Sequence, residues 1–488
     1  MICSRICVYH SFSSFFSGMT SEVSLSALVE QIGGMLQQEA ATASGAAAPT
    51  ILNDIDKADE EAVQLGQDVK PVKSWDELNL KPEIRRALVE VGFVKPSIIQ
   101  ETALPLIITH RRNLIAQAKN GSGKTASFSL GILSVVNAAD PKTQAIVLSP
   151  TRELAKQNLD VIGKLGKFCG LSLQLVVPMA ENLPTGKTEG PQVISGTPGK
   201  VLELLRKRAI NGKSVNVLVL DEADVMISTE NNMGVQVSNI RSMLNPNVQV
   251  LLFSATYPES VRRFAHQIVP KAAKIEVKTT DLTLSTIWQV YINTTTAENK
   301  FNVLSDLYAI MNVGQSIIFV NSRATAFDLA SKMKNQGHSV SLICGTSKQT
   351  SSGEVIDPQV RDKVLDEFRT GVSKVLIATD VLARGIDVPA VTLVVNYELP
   401  INYDGVMSGE KMGVNYETYI HRIGRTGRFG AKGIAVNLVT NEEVHKVDSI
   451  KKFYNCDIEK VEADIDALET RLKEIGEANK EIRTGLVE

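Results

Sequence analysis

The sequence predicts an α/β protein of two tandem domains, each a parallel sheet covered by helices. Short β-branched runs alternate with longer helical stretches, and these runs occur in two series. The first series contains NLIAQA (113–118), AIVLSP (145–150), VLVLDE (217–222) and VQVLLFSAT (248–256). The second contains SIIFVNS (316–322), KVLIATD (374–380), VTLVVNY (391–397) and GIAVNLV (433–439). A less apolar stretch near Val277–Ser285 separates the series, so two versions of one architecture are expected.

Length and composition fit two domains with tails. The 488 residues are 43% hydrophobic and 22% charged, which is ordinary for a soluble protein, and no apolar run is long enough to cross a bilayer. The net charge of −2 gives no global basic field, so a nucleic-acid site would be a local patch. The five scattered cysteines form no C-x-x-C pair, which argues against a zinc site or a disulfide framework.

Changes of pattern along the chain predict its segments. Leu25, Leu28, Ile32 and Met35 have helical spacing and mark a candidate regulatory helix in the N-terminal tail. The first eighteen residues contain no acid and are interpreted as an upstream extension rather than a targeting signal. The expected segments are a flexible tail (1–73), a first domain (74–276), a linker (277–286), a second domain (287–456) and an amphipathic C-terminal helix (457–488).

A glycine-rich loop, AKNGSGKT (118–125), directly follows the first predicted strand and precedes a helix-forming run. Such a loop can aim backbone N–H groups at phosphate, and glycines let the backbone approach closely. Lys124 would reach the β- and γ-phosphates and Thr125 would bind Mg²⁺. The strict pattern has glycine at 118, where this chain has alanine, and the alternative is a turn with an exposed lysine. The residues expected to bind nucleotide here are Gly121, Ser122, Gly123, Lys124 and Thr125.

An acidic pair follows the apolar strand VLVL. Ligands of open parallel sheets bind at the carboxyl ends of the strands, which is where Asp221 and Glu222 fall. Asp221 is expected to coordinate Mg²⁺, and Glu222 to orient and deprotonate the attacking water. The alternative is an ordinary acidic turn after a strand.

Together, GSGKT (121–125), DEAD (221–224) and SAT (254–256) resemble the motor core of DEAD-box RNA helicases. The family's other motifs are similar to FVKPSIIQ (93–100), PTREL (150–154), TPGK (197–200), NSR (321–323), TD (379–380), ARGID (383–387) and HRIGRTGR (421–428). The resemblance implies two RecA-like domains that hydrolyse ATP to ADP and phosphate, with coupled RNA clamping and local duplex unwinding.

The resemblance also implies roles at the nucleotide. Trp75 would stack on adenine, Gln100 would read its edge, and Asp387 would contact the ribose. Arg425 and Arg428 would be arginine fingers and could share one helical face. The alternative is an arginine-rich helix that grips RNA phosphates. His421 either acts directly or is a packed structural histidine.

RNA contacts are implied at phosphates and sugars rather than base edges. The expected residues are Arg152, Thr197, Gly199, Arg323 and Thr379. Ser254 and Thr256 would couple the acidic pair to closure of the domains. The family's usual Gly-Gly element before TPGK is absent, and residues 177–182 occupy that stretch.

Three stretches resemble the nuclear-pore mRNA-export helicases: DEADVMI (221–227), LTLSTI (282–287) and YETYIHRIGRTGRFG (416–430). This implies mRNP remodelling by a monomer in the cytoplasm and at the cytoplasmic face of the pore, with shuttling through the nucleus. It also implies an export activator that uses inositol hexakisphosphate and a pore-filament nucleoporin. The alternatives are a translation-initiation or general cytoplasmic DEAD-box helicase, a scaffold that clamps RNA without turnover, and a DNA helicase.

Overall fold

The computed structural model describes residues 68–118, 121–180, 190–227, 232–276, 286–310, 315–344, 358–380, 388, 390–402, 413–427 and 432–461. All of them lie within one compact unit of the chain. They form two seven-stranded sheets, and every described strand pair is parallel. The predicted fold class is confirmed.

The first sheet has the order β3-β4-β2-β5-β6-β1-β7. Its strands are β1 (Leu114–Gln117), β2 (Ala145–Leu148), β3 (Leu173–Val176), β4 (Val193–Gly196), β5 (Val217–Asp221), β6 (Gln249–Ser254) and β7 (Ala273–Glu276). Neighbouring residues of β1 point into different cores, because Leu114 and Ala116 belong to one hydrophobic cluster and Ile115 to another. The sheet is therefore covered on both faces, which explains its continuous apolar runs.

Helices from both sides supply those two clusters. They are α1 (Pro82–Val91), α2 (Ile98–Leu104), α3 (Lys124–Val135), α4 (Arg152–Leu165), α5 (Pro198–Arg206), α6 (Ala223–Ile227), α7 (Met233–Met243) and α8 (Glu259–Ile268). Short turns of helix occur at Trp75–Glu77, Pro105–Thr109 and Gly212–Ser214. α1 ends at Gly92, whose φ of 81° suits the left-handed C-terminal cap.

The second sheet has the order β10-β11-β9-β12-β13-β8-β14. Its strands are β8 (Ile287–Thr295), β9 (Gln315–Val320), β10 (Val340–Ile343), β11 (Val375–Thr379), β12 (Val391–Asn396), β13 (Gly433–Thr440) and β14 (Glu459–Val461). Its helices are α9 (Asn299–Ile310), α10 (Arg323–Asn335), α11 (Pro358–Arg369), α12 (Tyr416–Ile423) and α13 (Val444–Tyr454). Numbered within its own domain, each sheet has the same order, 3-4-2-5-6-1-7.

The structure moves two of the expected segment boundaries. Val69 and Val72, assigned to the tail, are buried in the first core, and the Val72 N–H donates to Glu101 O at 3.0 Å. At the other end, the amphipathic helix was expected from residue 457, but Glu459–Val461 form β14 beside β8. Ile458 is fully buried, and pairing of the next three residues with β8 makes this stretch a strand.

Several expected segments lie outside the described residues: the candidate regulatory helix, residues 277–285 of the linker and residues 462–488 of the C-terminal helix. Within the part of the chain that the structure describes, no helix has the length and apolar character needed to cross a bilayer.

Candidate nucleotide and RNA site

The phosphate loop leaves the end of β1 and enters the start of α3, as its sequence predicts. Gly121 and Gly123 have φ values of 76° and 103°, which glycine adopts without the steric cost of a side chain. Lys124 begins α3, is only 7% exposed, and donates from Nζ to Ala118 O at 2.7 Å. The Lys124 amine therefore lies against the residue that follows β1, at the edge of the sheet.

Gln100 connects this loop to α2. Its Oε1 accepts from the Ser97 N–H at 2.8 Å, which caps the start of the helix, and its Nε2 donates to Gly123 O at 3.2 Å. Ser97 Oγ donates to Ser122 O at 2.8 Å. A Cβ on Gly123 would lie 2.6 Å from Gln100 Nε2, so glycine is required there for packing as well as for φ. Recognition of adenine by Gln100 stays a prediction.

Trp75 lies at the other expected end of the base site. Its ring is partly buried against the first core, and its Nε1 donates to Phe93 O at 2.9 Å. The hydrogen bond fixes the indole beside the stretch 93–100 that also contains Gln100. Stacking of Trp75 on adenine stays a prediction.

Asp221 and Glu222 occupy the carboxyl end of β5, as predicted. Asp221 Oδ1 accepts from the Glu222 N–H at 3.1 Å, and Oδ2 accepts from Asn158 Nδ2 at 2.8 Å. Burial, reinforced by the Glu222 carboxylate, raises the pKa of Asp221 from its ordinary 3.8 to about 6. Burial also lowers the pKa of Lys124, while the negative charges of Asp221 and Glu222 partly raise it again. The edge thus buries two carboxylates beside one amine.

These residues fit a Mg²⁺ ion bound together with phosphates. Mg²⁺ usually takes one or two protein oxygens and fills its octahedron with phosphate and water. Asp221 supplies a carboxylate and Thr125 a hydroxyl, and the described residues contain no larger cluster of His, Cys, Asp and Glu that would hold a metal alone. Within the described part of the chain, buried Glu222 Oε2 has no hydrogen-bond partner. That unsatisfied oxygen suits a role toward a water molecule.

Asp224 is the junction between the two domains. Its Oδ2 accepts from Thr256 Oγ1 at 2.7 Å and lies 3.1 Å from His421 Nε2 of the second domain. The Asp224 N–H donates to Ser254 Oγ at 3.3 Å. Both His421 and Asp224 have side chains only 1% exposed. Ser254 and Thr256 therefore contact the acidic motif at the residue that meets the second domain, and their coupling role stays a prediction.

Arg425 lies close to this junction, but not on a helix. α12 ends at Ile423 with Gly424 as its cap, and Arg425 Nε donates back to His421 O at 3.0 Å. The expectation that Arg425 and Arg428 share one helical face is therefore wrong for Arg425. The Arg425 side chain is 3% exposed, and its charge helps to lower the pKa of Lys124. Arg428 and Asp387 lie outside the described residues.

The residues expected to contact RNA lie near strand ends. Arg152 begins α4, Thr197 caps α5 and Gly199 lies in its first turn, while Arg323 begins α10 and Thr379 ends β11. Motif residues also start helices: Thr151 Oγ1 accepts from the Leu154 N–H at 3.2 Å, and Ser322 Oγ from the Thr325 N–H at 3.0 Å. Their contact with RNA stays a prediction.

The start of α4 is fastened to the second domain. Arg152 donates to Pro178 O at 2.6 Å and to Asp362 Oδ2 of α11 at 3.1 Å. Next to it, Arg361 Nη2 donates to Glu153 Oε1 at 2.7 Å, with side chains 11% and 3% exposed. Arg152 thus contacts the second domain through Asp362, and its contact with RNA stays a prediction.

Sequence reasoning assigned no role to Arg422, whose side chain makes several hydrogen bonds at the edge of the second sheet. It is fully buried, and its guanidinium binds both oxygens of Asp380 at 2.6 and 2.9 Å. It also donates to Asn321 Oδ1 at 2.7 Å and to Glu398 O at 2.6 Å. It therefore ties the loops after β9, β11 and β12 to α12. Its presence in the same motif as His421 and Arg425 was the available signal.

Asn158, Arg361 and Asp362 were also missed. Asn158 falls on the buried stripe of α4 with Ala155, Ile162 and Leu165, so a polar residue at a core position was the available signal. Arg361 and Asp362 carried no comparable signal, since alternating charges on a helix usually face solvent.

Comparisons with known proteins agree with this geometry. The chain matches the DEAD/DEAH box helicase family over residues 97–264 and the helicase conserved C-terminal domain over 299–430. ATP-dependent RNA helicase DBP5 of Saccharomyces cerevisiae is 44% identical over 388 residues, which are 79% of this chain and 77% of that protein.

Two solved structures of S. cerevisiae Dbp5 are also similar. One, bound to RNA and ADP–BeF3, has a TM-score of 0.76 and 42% identity, and the match covers 83% of this chain and 100% of that chain. The other, a variant bound to Nup159, Gle1, IP6 and ADP, has a TM-score of 0.59 and 39% identity over 82% and 100% of the two chains. The expected pair of RecA-like domains is confirmed. With both family models and a relative matched over 77% of its length in agreement, the chain belongs to the DEAD-box ATP-dependent RNA helicases, and its relatives there are of the Dbp5 type.

Proposed function

We propose that this helicase hydrolyses ATP to ADP and phosphate with Mg²⁺, and that RNA clamping, local duplex unwinding and mRNP remodelling depend on this turnover. The observation that carries the proposal is the buried contact of His421 with Asp224 across the domains, with Arg425 beside it. This contact joins the acidic motif of the first domain to the motif 421–428 of the second, so it requires the two domains to come together.

The first domain binds and activates the nucleotide. Backbone N–H groups of the loop 121–125 and the amine of Lys124 hold the β- and γ-phosphates. Asp221 and Thr125 hold Mg²⁺, which neutralises charge on the phosphates when bound. Glu222 orients the attacking water and takes its proton, and its buried Oε2 has no hydrogen-bond partner among the described residues.

The second domain contributes positive charge at the γ-phosphate. Phosphoryl transfer spreads negative charge over the equatorial oxygens, so an arginine placed there stabilises the transition state. Arg425 is buried near Lys124, and Arg428 follows it by three residues. Because these arginines come from the other domain, hydrolysis depends on closure of the two domains. Closure is coupled to the acidic motif through Asp224, which contacts Ser254, Thr256 and His421.

RNA binding favours closure from the opposite side. Arg152, Thr197 and Gly199 in the first domain, with Arg323 and Thr379 in the second, contact phosphates and sugars of one strand. Contact with 2′-hydroxyls selects RNA. A strand held by both domains lowers the free energy of the closed form, and product release opens it again.

The biological role we propose is mRNA export at the cytoplasmic face of the nuclear pore, with shuttling through the nucleus. Its support is the likeness to Dbp5, including the variant solved with Nup159, Gle1 and IP6. The partners would be mRNA, an activator that uses inositol hexakisphosphate, and a pore-filament nucleoporin. A pull-down from nuclear-envelope extract tests this: recovery of translation factors in place of pore filaments would contradict it.

A turnover assay distinguishes the enzyme from a scaffold that only clamps RNA. ATPase rates are measured without nucleic acid, with single-stranded RNA and with DNA of the same sequence. Stimulation by RNA that Glu222→Gln reduces by about 10²-fold or more is expected. No turnover with any RNA or activator would favour the scaffold, and equal stimulation by DNA would contradict RNA selectivity.

A further inference from the structure

Asn158 is a buried amide beneath the acidic motif. It is fully buried in the middle of α4, and its Nδ2 donates to Ser149 Oγ at 3.0 Å and to Asp221 Oδ2 at 2.8 Å. A buried amide is unfavourable unless it is hydrogen-bonded, so these two contacts account for a polar residue on an apolar helix face. They also place its only donor group against a residue of the candidate metal site.

The orientation of the Asn158 amide follows from chemistry. An ionised carboxylate only accepts hydrogen bonds, so the amide must face Asp221 with Nδ2 rather than Oδ1. Within the described residues, Asn158 Oδ1 accepts no hydrogen bond. The side chain is therefore held by its donor contacts alone.

The two oxygens of Asp221 are fixed by different elements. Oδ1 accepts from the Glu222 N–H at 3.1 Å, within the strand-end turn, and Oδ2 accepts from Asn158 on α4. Two donors at the two oxygens define the plane of the carboxyl group, while each oxygen keeps a further lone pair for a ligand. Without Asn158, one oxygen would lose its donor and the group could turn about its Cβ–Cγ bond.

We infer that Asn158 is a positioning residue that holds the Asp221 carboxyl in the orientation that receives Mg²⁺. The inference rests on the proposed function, because it concerns the metal of the same site. Groups that orient a metal ligand typically change metal affinity by about 10- to 100-fold when removed. The expected consequence is weaker coupling between Mg²⁺ and nucleotide, with the fold and the metal-free nucleotide site intact.

The test measures ADP affinity by titration calorimetry of the full chain, in excess Mg²⁺ and in EDTA. For Asn158→Leu, which keeps a similar volume, the gain in affinity given by Mg²⁺ should fall by about tenfold, while affinity in EDTA changes by less than about twofold. Asn158→Ser, which removes the amide with a smaller apolar change, should show the same loss and serves if the leucine variant does not fold.

Ser149→Ala is the matched control, since it removes the other acceptor of Nδ2 and leaves the bond to Asp221. Its Mg²⁺ dependence should stay within about twofold of the unmodified protein. Equal losses in the Ser149 and Asn158 variants, or none in folded Asn158 variants, would overturn the positioning role. If Asp221→Asn abolishes the dependence while the Asn158 variants retain it, only this inference fails. If the unmodified protein shows no dependence, the proposed metal site fails with it.

Discussion

The two domains share one strand order, yet equivalent strand ends of their two sheets carry different side chains among the described residues. In both, the strand at the sixth position of the sheet leads into a helix with a buried lysine at its start: β1 into Lys124 and β8 into Lys300. Lys300 Nζ is paired with Glu443 Oε2 at 2.7 Å and lies 3.3 Å from Tyr397 O. The residues before it, 296–298, are Thr-Ala-Glu rather than a glycine-rich loop. The second domain thus neutralises its lysine locally.

The carboxyl ends of β5 and β12 differ in the same way. β5 ends at Asp221, a candidate metal ligand, whereas β12 ends at the uncharged Asn396. Asn396 contacts Arg422 Nη1 at 3.3 Å and donates to Asn437 Oδ1 at 2.8 Å. The end of β5 therefore carries a buried carboxylate, whereas the end of β12 carries an amide that accepts from a buried arginine. The comparison teaches that the fold supplies the position, while the side chains at strand ends decide its use.

The sharpest way to break this comparison is to remove each lysine. Lys124→Ala should lower RNA-stimulated ATPase activity by about 10²- to 10³-fold, because a cation at the phosphates is lost. Lys300→Ala should leave ADP affinity within about twofold and instead destabilise the protein by about 1–3 kcal/mol, since Glu443 loses its partner. ATPase assays and thermal unfolding give the two readouts. A large loss of nucleotide affinity in Lys300→Ala would contradict the assignment of one site to one domain.

The arginine-holding edge is tested by Arg422→Lys. Lysine keeps the charge but cannot bind both Asp380 oxygens and Asn321 together, so buried acceptors lose their donors. We expect destabilisation of about 2–4 kcal/mol and weaker RNA stimulation, measured by unfolding in urea and by the RNA concentration at half-maximal ATPase activity. Asp380→Asn is the milder control, because it retains an acceptor. If a folded Arg422→Lys variant reaches half-maximal ATPase activity at an unchanged RNA concentration, this edge does not contribute to the coupling between RNA and turnover.

The acidic edge is tested by Asp221→Asn in the absence of ligand. Burial and Glu222 raise the pKa of Asp221 to about 6, above its ordinary 3.8, so the ionised form is disfavoured in the folded state. Ionisation therefore costs stability above pH 6, and this cost disappears as the pH falls below the unfolded-state value. At pH 7 the neutral variant should be more stable by about 1–3 kcal/mol. Its advantage should shrink on acidification from pH 7 to pH 4, and a constant difference in melting temperature over that range would contradict this account.

The smallest effect is expected at the exposed rim between the domains. Lys156 Nζ and Asp366 Oδ2 lie 4.0 Å apart, with side chains 35% and 57% exposed. Asp366→Asn should change closure by less than about 0.5 kcal/mol, whereas Arg361→Ala, which unpairs buried Glu153, should cost about 2–4 kcal/mol. Fluorescence transfer between dyes on the two domains, with RNA and a non-hydrolysable ATP analogue, measures closure. Equal effects of the two substitutions on closure would contradict the expectation that the buried ion pair contributes more than the exposed one.

Features encoded by neighbouring residues could be predicted from the sequence, whereas contacts between residues far apart in the chain could not. Asp221 and Thr379 are the last residues of apolar strands, so the strand pattern places both at the edges of the sheets. Lys124 was predicted from the glycine-rich loop, and the RNA role of Thr379 from the family resemblance. Arg425 was misassigned to a helix because the pattern of arginines was weighed above Gly424, which ends α12. Arg361 meets Glu153 across 208 residues, and no local pattern encodes such a contact. The helix expected from residue 457 failed at β14 because three residues fit either periodicity, and pairing with β8 decided between them.

The position of Gln100 bears on how the protein discriminates between ATP and other nucleotides. Its Oε1 accepts from the backbone at the start of α2, and its Nε2 donates to Gly123 O. The stretch implied to recognise adenine is therefore connected by this side chain to the loop implied to hold phosphate. Inorganic triphosphate could occupy the loop, but it has no base that could contact Gln100. A purine that displaced or tightened either hydrogen bond would act on Lys124 one residue away, and discrimination against other nucleotides would then appear in turnover as well as in affinity.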